Sequence, residues 1–369
     1  MSSSTAKHLA IVLLAASAPA CNTMETSAPS EPVLFAAAPN VTVRGTTDLG
    51  TFGMDHGFGF EISDAGNIAG RTETDLVGPA TALQAVFWSP QGGAIPLPTL
   101  PGGGDSDTRA LNNSNLVVGF STKTGDAGFQ HHPVVWQVRP GGVEITELGP
   151  FFNGQAEDVN DRGIVVGWHS TAVNGPPTGF RWSAREGLTL ISPIAGPRST
   201  AAGINNGGDI VGSSTVNSSG PEHAVVWWRN GEVTDIGTLG FTAQARSIND
   251  HGEVSGFGRP CQGCPFEAFY WSEADGIIPL GTFGGFQSFS FEIDNQGRVT
   301  GRYDTGTAAA PVIHAFVWTK ATGKVDLPSL GGPSSSTGSI NARGQTTGWA
   351  EDGSGIRHVV IWQLGPGQP

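Results

Sequence analysis

A tryptophan that returns every 44 to 48 residues constrains this chain more than any other feature. It closes seven apolar runs, at Trp88, Trp136, Trp182, Trp227, Trp271, Trp318 and Trp362. A fixed period of that length marks a repeat architecture. Each unit also carries a Leu/Ile-x-x-Leu/Phe/Ile run, from Leu49-Gly-Thr-Phe52 to Leu327-Pro-Ser-Leu330. A turn follows, as in Val159-Asn-Asp-Arg-Gly163 and Ile248-Asn-Asp-His-Gly252, with Asn115 in place of the glycine in the second copy. Glycine or asparagine is what a left-handed turn position tolerates. The strand after each turn is expected to end on a glycine: Gly70, Gly119, Gly167, Gly212, Gly256, Gly301 and Gly348.

Four short strands per unit, repeated seven times, predict an all-β fold: a seven-bladed β-propeller with four antiparallel strands per blade. A β-solenoid is the rival, but its turns are usually shorter than these units. The innermost strands are expected just before each Asn turn, where small residues such as Ala201-Ala-Gly203 suit crowding near an axis. The Leu-x-x-Leu runs are expected as outer edge strands, because proline cannot donate to a central ladder. Ring closure is expected from Thr47–Phe52, added as the outer strand of the last blade beside Arg357–Trp362.

The units fill residues 46–363, and the propeller domain is placed at 41–369. Residues 1–20 have the form of a signal peptide: Lys7, an apolar run at 9–16 and small residues at 18–20. Cys21 follows at once, as in a bacterial lipoprotein, and is the expected lipidation site. Residues 21–40 are rich in Ser, Pro and Ala and are expected to act as a flexible tether. The expected location is the cell envelope (outer membrane lipoprotein or periplasm) or the extracellular space, with any membrane contact through the lipid anchor. Acidic residues exceed basic ones by 13 (32 against 19). No basic stripe offsets this, which argues against nucleic-acid binding.

His314-Ala-Phe-Val-Trp318, Asp235-Ile-Gly-Thr-Leu-Gly240, Leu280-Gly-Thr-Phe-Gly-Gly285 and Ile248-Asn-Asp-His-Gly252 together resemble the bacterial extracellular repeats called the HAF family. The resemblance implies a secreted or surface-attached repeat protein and brings no catalytic residues with it. Copies two to four depart from the pattern at Pro133, Gly179 and Ile191-Ser-Pro-Ile194.

Candidate chemistry is sparse. Cys261 and Cys264, between Pro260 and Pro265, are expected to form a short disulfide in an oxidising compartment. His132, His223, His314 and His358 share one repeat position, which points to a structural bond at a strand entry. Glu61, Asp158 and Glu292 stand one before the apolar turn residue and are candidate channel carboxylates. Arg71, Phe120, Trp168, Phe257, Arg302 and Trp349 follow the repeated glycine and form a candidate binding face; packing between blades is the competing role. No catalytic motif, cofactor loop or metal-ligand set is present. The expected function is a monomeric binding or interaction module for a polysaccharide or an envelope protein. The alternatives are a glycan hydrolase using the channel carboxylates and a purely structural surface component.

Overall fold

In the computed structural model, residues 41–74, 82–125, 130–151, 153–172, 175–307 and 309–366 are described. The leader, Cys21 and the tether lie outside the described residues. The described chain forms seven four-stranded antiparallel sheets, and no helix occurs among those residues. Six sheets use four consecutive strands, running outward from the channel in chain order. In the fourth blade these are Ser199–Ile204, Ile210–Thr215, Glu222–Trp227 and Val233–Gly237. The strand before each Asn turn is innermost, as the small residues require.

The seventh sheet closes the ring. Gly331–Ile340, Gln345–Asp352 and Arg357–Pro366 are joined at the outer edge by Val41–Asp48 from the other end of the chain. Pairing runs from Val41 opposite Pro366 to Asp48 opposite Val360. Closure by this end is as expected, but the strand lies earlier than Thr47–Phe52 and shares only Thr47 and Asp48 with it.

The same offset recurs in three other blades. Outer strands such as Gly93–Pro96, Gly142–Glu147 and Gly323–Asp326 precede the Leu-x-x-Leu runs. Ile191, Ile236-Gly237 and Leu280-Gly281 still belong to the outer strands Gly187–Ile191, Val233–Gly237 and Gly276–Gly281, whereas in the three blades just named the runs are links that leave the outer edge and descend between blades. Their proline and glycine end the ladder after one last bond: Leu97, Leu148 and Leu327 donate N–H to Ala85, Pro133 and Ala315 at 2.8–2.9 Å. The leucines then enter the core, with Leu97 and Leu327 buried. The link carbonyls of Pro98 and Pro328 accept the indole N–H of Trp136 (2.7 Å) and Trp362 (2.9 Å), both wholly buried in the next blade.

The apolar core is therefore a series of slabs between neighbouring blades. One slab sets Ala69, Phe87, Leu97 and Leu100 of the first blade against Leu111, Val117 and Trp136 of the second. Another sets Val317 and Leu327 against Val360 and Trp362, with Val41 and Val43 of the closing strand packed on it.

The repeated glycines do not end their strands; Ile68–Thr74 continues past Gly70. They are required by close approach. At all seven positions a Cβ would collide with a backbone carbonyl oxygen of the innermost strand, from Phe58 O opposite Gly70 to Ser336 O opposite Gly348.

The turns carry the polar closure. Gly66, Asn115, Gly163, Gly208, Gly252, Gly297 and Gly344 all have positive φ, with Asn115 at 58°. Five turns begin with an asparagine whose Oδ1 accepts two N–H groups of its own turn, as Asn160 does from Arg162 (3.1 Å) and Ile164 (3.0 Å). The amide then donates to the next turn: Asn112 to Asn160 O, Asn160 to Asn205 O, Asn205 to Asn249 O, Asn249 to Asp294 O, and Asn341 across the closure to Ser63 O, at 2.9–3.1 Å. Asp294 has no amide to give. Arg298, paired to it at 2.5 Å, reaches Asn341 O at 3.4 Å in its place. The residues one further on form a second belt. The backbone N–H groups of Asp64, Asn113, Asp161, Asn206 and Asp250 donate to the side-chain Oδ1 of Asn113, Asp161, Asn206, Asp250 and Asn295 respectively. Ala342 N–H donates to Asp64 Oδ1 (3.0 Å) but has no oxygen to offer Asn295.

This belt predicts a graded effect at one residue. Asn160→Ala removes three hydrogen bonds, two of them buried, and is expected to lower stability by about 2–3 kcal/mol. Asn160→Asp keeps both acceptor bonds, loses the donor to the next blade, and is expected to lower it by about half as much. Urea unfolding of the two variants checks the order; equal losses would mean the interblade bond carries the whole effect.

Candidate functional site

Every innermost strand carries a register shift just before its turn, between Gly59 and Glu61, Thr108 and Ala110, Ala156 and Asp158, Ala201 and Gly203, Ala245 and Ser247, Ser290 and Glu292, and Thr337 and Ile340. A bulge re-aims one side chain that would otherwise alternate to the opposite face. Here it turns two consecutive residues toward the axis, giving the channel two tiers. Glu61, Asp158 and Glu292 belong to the tier nearer the turns. Phe60, Arg109, Glu157, Arg246 and Phe291 belong to the bulge tier.

The three carboxylates predicted for the channel do meet there. They line both the cavity of about 250 Å³ at the Asn/Asp mouth and the cavity of about 400 Å³ at the opposite mouth, so they form the waist between the two. Burial, the charges of Glu292 and Asp158 and a bond from the Ser339 hydroxyl act on Glu61, and its pKa is raised well above the usual value. Glu292 is raised to about 8, mainly by burial and then by Asp158, although the Ser247 hydroxyl donates to it at 2.6 Å. Asp158 rises only to about 6, because burial is offset by N–H donors from Ile204 (2.7 Å) and Val159 (2.6 Å) and by Arg246. At neutral pH Glu292 is therefore mostly protonated and Asp158 mostly ionised, so the waist can donate as well as accept hydrogen bonds. Among the described residues, no three His, Cys, Asp or Glu side chains converge as a metal's ligand set would.

The opposite mouth holds a different chemistry. Arg71, Arg109, Arg246, Arg302 and Arg357 line it, with Phe58, Phe60, Phe291 and Trp349. Arg71 is held by Glu73 (2.6 Å) and Asp107 (3.0 Å), Arg302 by Asp304 (3.7 Å) and Arg357 by Glu351 (3.4 Å). None of those carboxylates lines the cavity, although the arginines they hold do. Arg246 pairs at 3.7 Å with Glu157, which does line it. Arg109 lies 3.8 Å from Asp107 and donates to Gln155 Oε1 once that amide is turned to satisfy both its ends. Arg357 also stacks on Trp349 at 4.7 Å and Arg302 on Phe289 at 5.1 Å.

The six residues proposed as a single face divide accordingly. Arg71, Arg302 and Trp349 line the cavity. Phe120 is buried and stacks on His131 at 3.7 Å, and Phe257 packs on Phe266 and Phe289. Trp168 stands behind the wall, donating its indole N–H to Glu157 Oε1 at 2.9 Å. The bulge residues were not singled out from the sequence, though they contribute Phe60, Arg109, Arg246 and Phe291 to the mouth.

Cys261 and Cys264 form the expected disulfide, with Cα atoms 5.1 Å apart, in an exposed loop away from the channel. The repeated histidines bond at the strand entry. His132, His223 and His358 reach Glu147, Asp235 and Asp48 of the outer strand at 2.9 Å through Nδ1, and His314 Nε2 lies 2.9 Å from the Thr305 hydroxyl.

The chain is a closed seven-bladed β-propeller. No protein-family model matches it, and no curated protein matches it by sequence. Solved structures share the fold. The β-propeller domain of the Trilobed protease from Pyrococcus furiosus gives a TM-score of 0.53 at 8% identity, covering 85% of this chain and 100% of that one. That propeller is described as having an open velcro topology, whereas here Val41–Asp48 closes the last blade. Virginiamycin B lyase from Staphylococcus aureus gives a TM-score of 0.52 at 10% identity, covering 88% and 99%. TolB from Acinetobacter baumannii gives 0.48 at 14% identity; the match covers 76% of this chain and 65% of that one. The first two likenesses support the architecture and, at these identities, leave activity to the site.

Proposed function

We propose that this chain is an exported repeat protein of the HAF type that acts as a binding module, with its ligand seated in the arginine-lined mouth of the channel. Cys21 as a lipid anchor belongs to the same proposal. The observation that carries the reading is the convergence of five arginines and four aromatic rings on one cavity of about 400 Å³. Aromatic and arginine side chains are the usual anchors of binding sites. A concave cavity of that size fits a small molecule or the end of a polymer, whereas a protein partner needs a broad patch of about 800 Å² on each side. A polysaccharide is therefore favoured over an envelope protein. The disulfide is in keeping with export.

Phe60 and Phe291 are the rings to remove, because they stand on bulges at the channel rather than in a slab between blades. The double variant Phe60→Ala/Phe291→Ala is expected to lose at least about tenfold in affinity on a glycan panel, a loss of about 1.4 kcal/mol, with the melting temperature nearly unchanged. Unaltered binding would move the site elsewhere on the ring.

A second reading, a glycan hydrolase, is favoured by one observation: the waist holds carboxyls with distinct pKa values, about 8 at Glu292 and about 6 at Asp158. Separated values are what an acid and a base sharing one reaction require. It expects turnover on polysaccharides that disappears in Glu292→Gln and in Asp158→Asn.

A further inference from the structure

We infer that the ligand of this mouth is an anionic sugar, a pyranose bearing a carboxylate, taken as a monosaccharide or as the end of an acidic glycan. The inference rests on the reading that the cavity binds a sugar, and adds the charge and its cause.

The chain carries a net charge of −13, so its overall field repels anions. Five arginines nevertheless line one cavity; the partners Glu73, Asp107, Asp304 and Glu351 stand outside it, while Glu157, the partner of Arg246, lines it with them. Glu157 accounts for Arg246, but the partners of Arg71, Arg302 and Arg357 stand off the axis and do not explain why those three arginines line the cavity. Each has five N–H donors in a planar fork, and the ion pairs described above occupy only some of them. The donors left over match the two oxygens of a carboxylate. At physiological salt, charge is screened beyond about 8 Å, so the local cavity outweighs the distant acidic surface once a ligand is near.

The remainder of the lining fits a sugar ring rather than a bare oxyanion. Phe60 and Phe291 provide flat apolar faces at the same mouth, and Glu61, Asp158 and Glu292 lie at its floor. Carboxyl groups at the floor suit hydroxyls, which both donate and accept. A carboxylate at the arginines, a ring against the aromatics and hydroxyls toward the floor uses all three zones at once.

The test is calorimetry on the full chain with two trimers of one backbone, β-1,4-linked glucuronic acid and β-1,4-linked glucose. The inference expects the acidic trimer to bind at least about tenfold more tightly. It expects the preference to fall in Arg246→Met and in Arg357→Gln, and to shrink as sodium chloride rises from about 0.05 to about 0.5 M. The two variants sit on different blades, so a folding defect in one leaves the other informative. Equal binding of both trimers would keep the sugar site and overturn the charge preference. Binding of inorganic phosphate as tight as that of the acidic trimer would overturn the sugar and keep only an oxyanion site. Binding of neither trimer would overturn the sugar site and this inference together.

Discussion

Gly256→Ala is expected to lower stability by about 3 kcal/mol or more, a loss usually seen only when a core is overpacked against a rigid neighbour. The added Cβ would overlap the carbonyl oxygen of Gln244 and stand 2.5 Å from Cζ of Phe269. Neither can retreat. Gln244 belongs to the innermost strand Thr242–Ile248, pinned on one side by pairing and on the other by the bulge between Ala245 and Ser247. Phe269 is wholly buried in the slab between the fourth and fifth blades. Gly142→Ala is the control, since no atom lies within 4 Å of its Cβ position. Thermal unfolding followed by circular dichroism separates the two. A Gly256→Ala protein that melts with the control would mean that the bulged strand yields more readily than its bonding implies.

Glu292→Gln is expected to change how stability depends on pH. The side chain titrates at about 4.3 when unfolded, and at about 8 in the folded protein. Its folded pKa is raised, so the folded state holds the proton more tightly than the unfolded state does. This stabilisation is complete below about pH 4, declines as pH rises toward about 8, and is gone above that value. Between about pH 5 and pH 9 the parent protein should lose on the order of 3 kcal/mol relative to the glutamine variant, allowing for water in the channel. Denaturant titrations at the two pH values give the difference. Parallel pH profiles for parent and variant would show that Glu292 is ionised and solvated at the waist.

Much of the fold was legible because its strongest determinants are local and repeated. Trp136 and Trp362, the left-handed turn positions and the small residues of the inner strands each follow from side-chain size or backbone freedom. The placing of Leu97-Pro-Thr-Leu100 was less accurate. Proline and glycine there suggest an outer strand, but they end that strand and let the leucines descend between blades. The channel carboxylates were found because the position before the apolar turn residue points to the axis once the strand is innermost.

The arginine mouth was half seen, for a reason written in the spacing. Ala156 and Val159 are both buried, as are Ala201 and Ile204, and Ala245 and Ile248. Each pair stands three apart, whereas an unbroken strand returns to one face after two. That odd interval signals the bulge, and the residues inside it are the pairs Glu157-Asp158, Ala202-Gly203 and Arg246-Ser247 that look down the channel. Phe120 and Arg71 occupy equivalent positions in the repeat but have different surroundings. Which of the two is core depends on its neighbours, His131 for one and Phe58 for the other.

The Asp/Asn belt has a consequence for the repeats themselves. Asp64, Asn113, Asp161, Asn206, Asp250 and Asn295 alternate carboxylate and amide, which places no two carboxylates side by side. A closed alternation needs an even number of members, and this ring has seven. An aspartate at the last position would adjoin Asp64, and an asparagine there would adjoin Asn295. Ala342 avoids both mismatches by contributing only its N–H. The seven units are therefore not interchangeable, however alike their tryptophan strands: parity assigns the odd turn to one place, and a ring with one unit more or fewer would have no need of it.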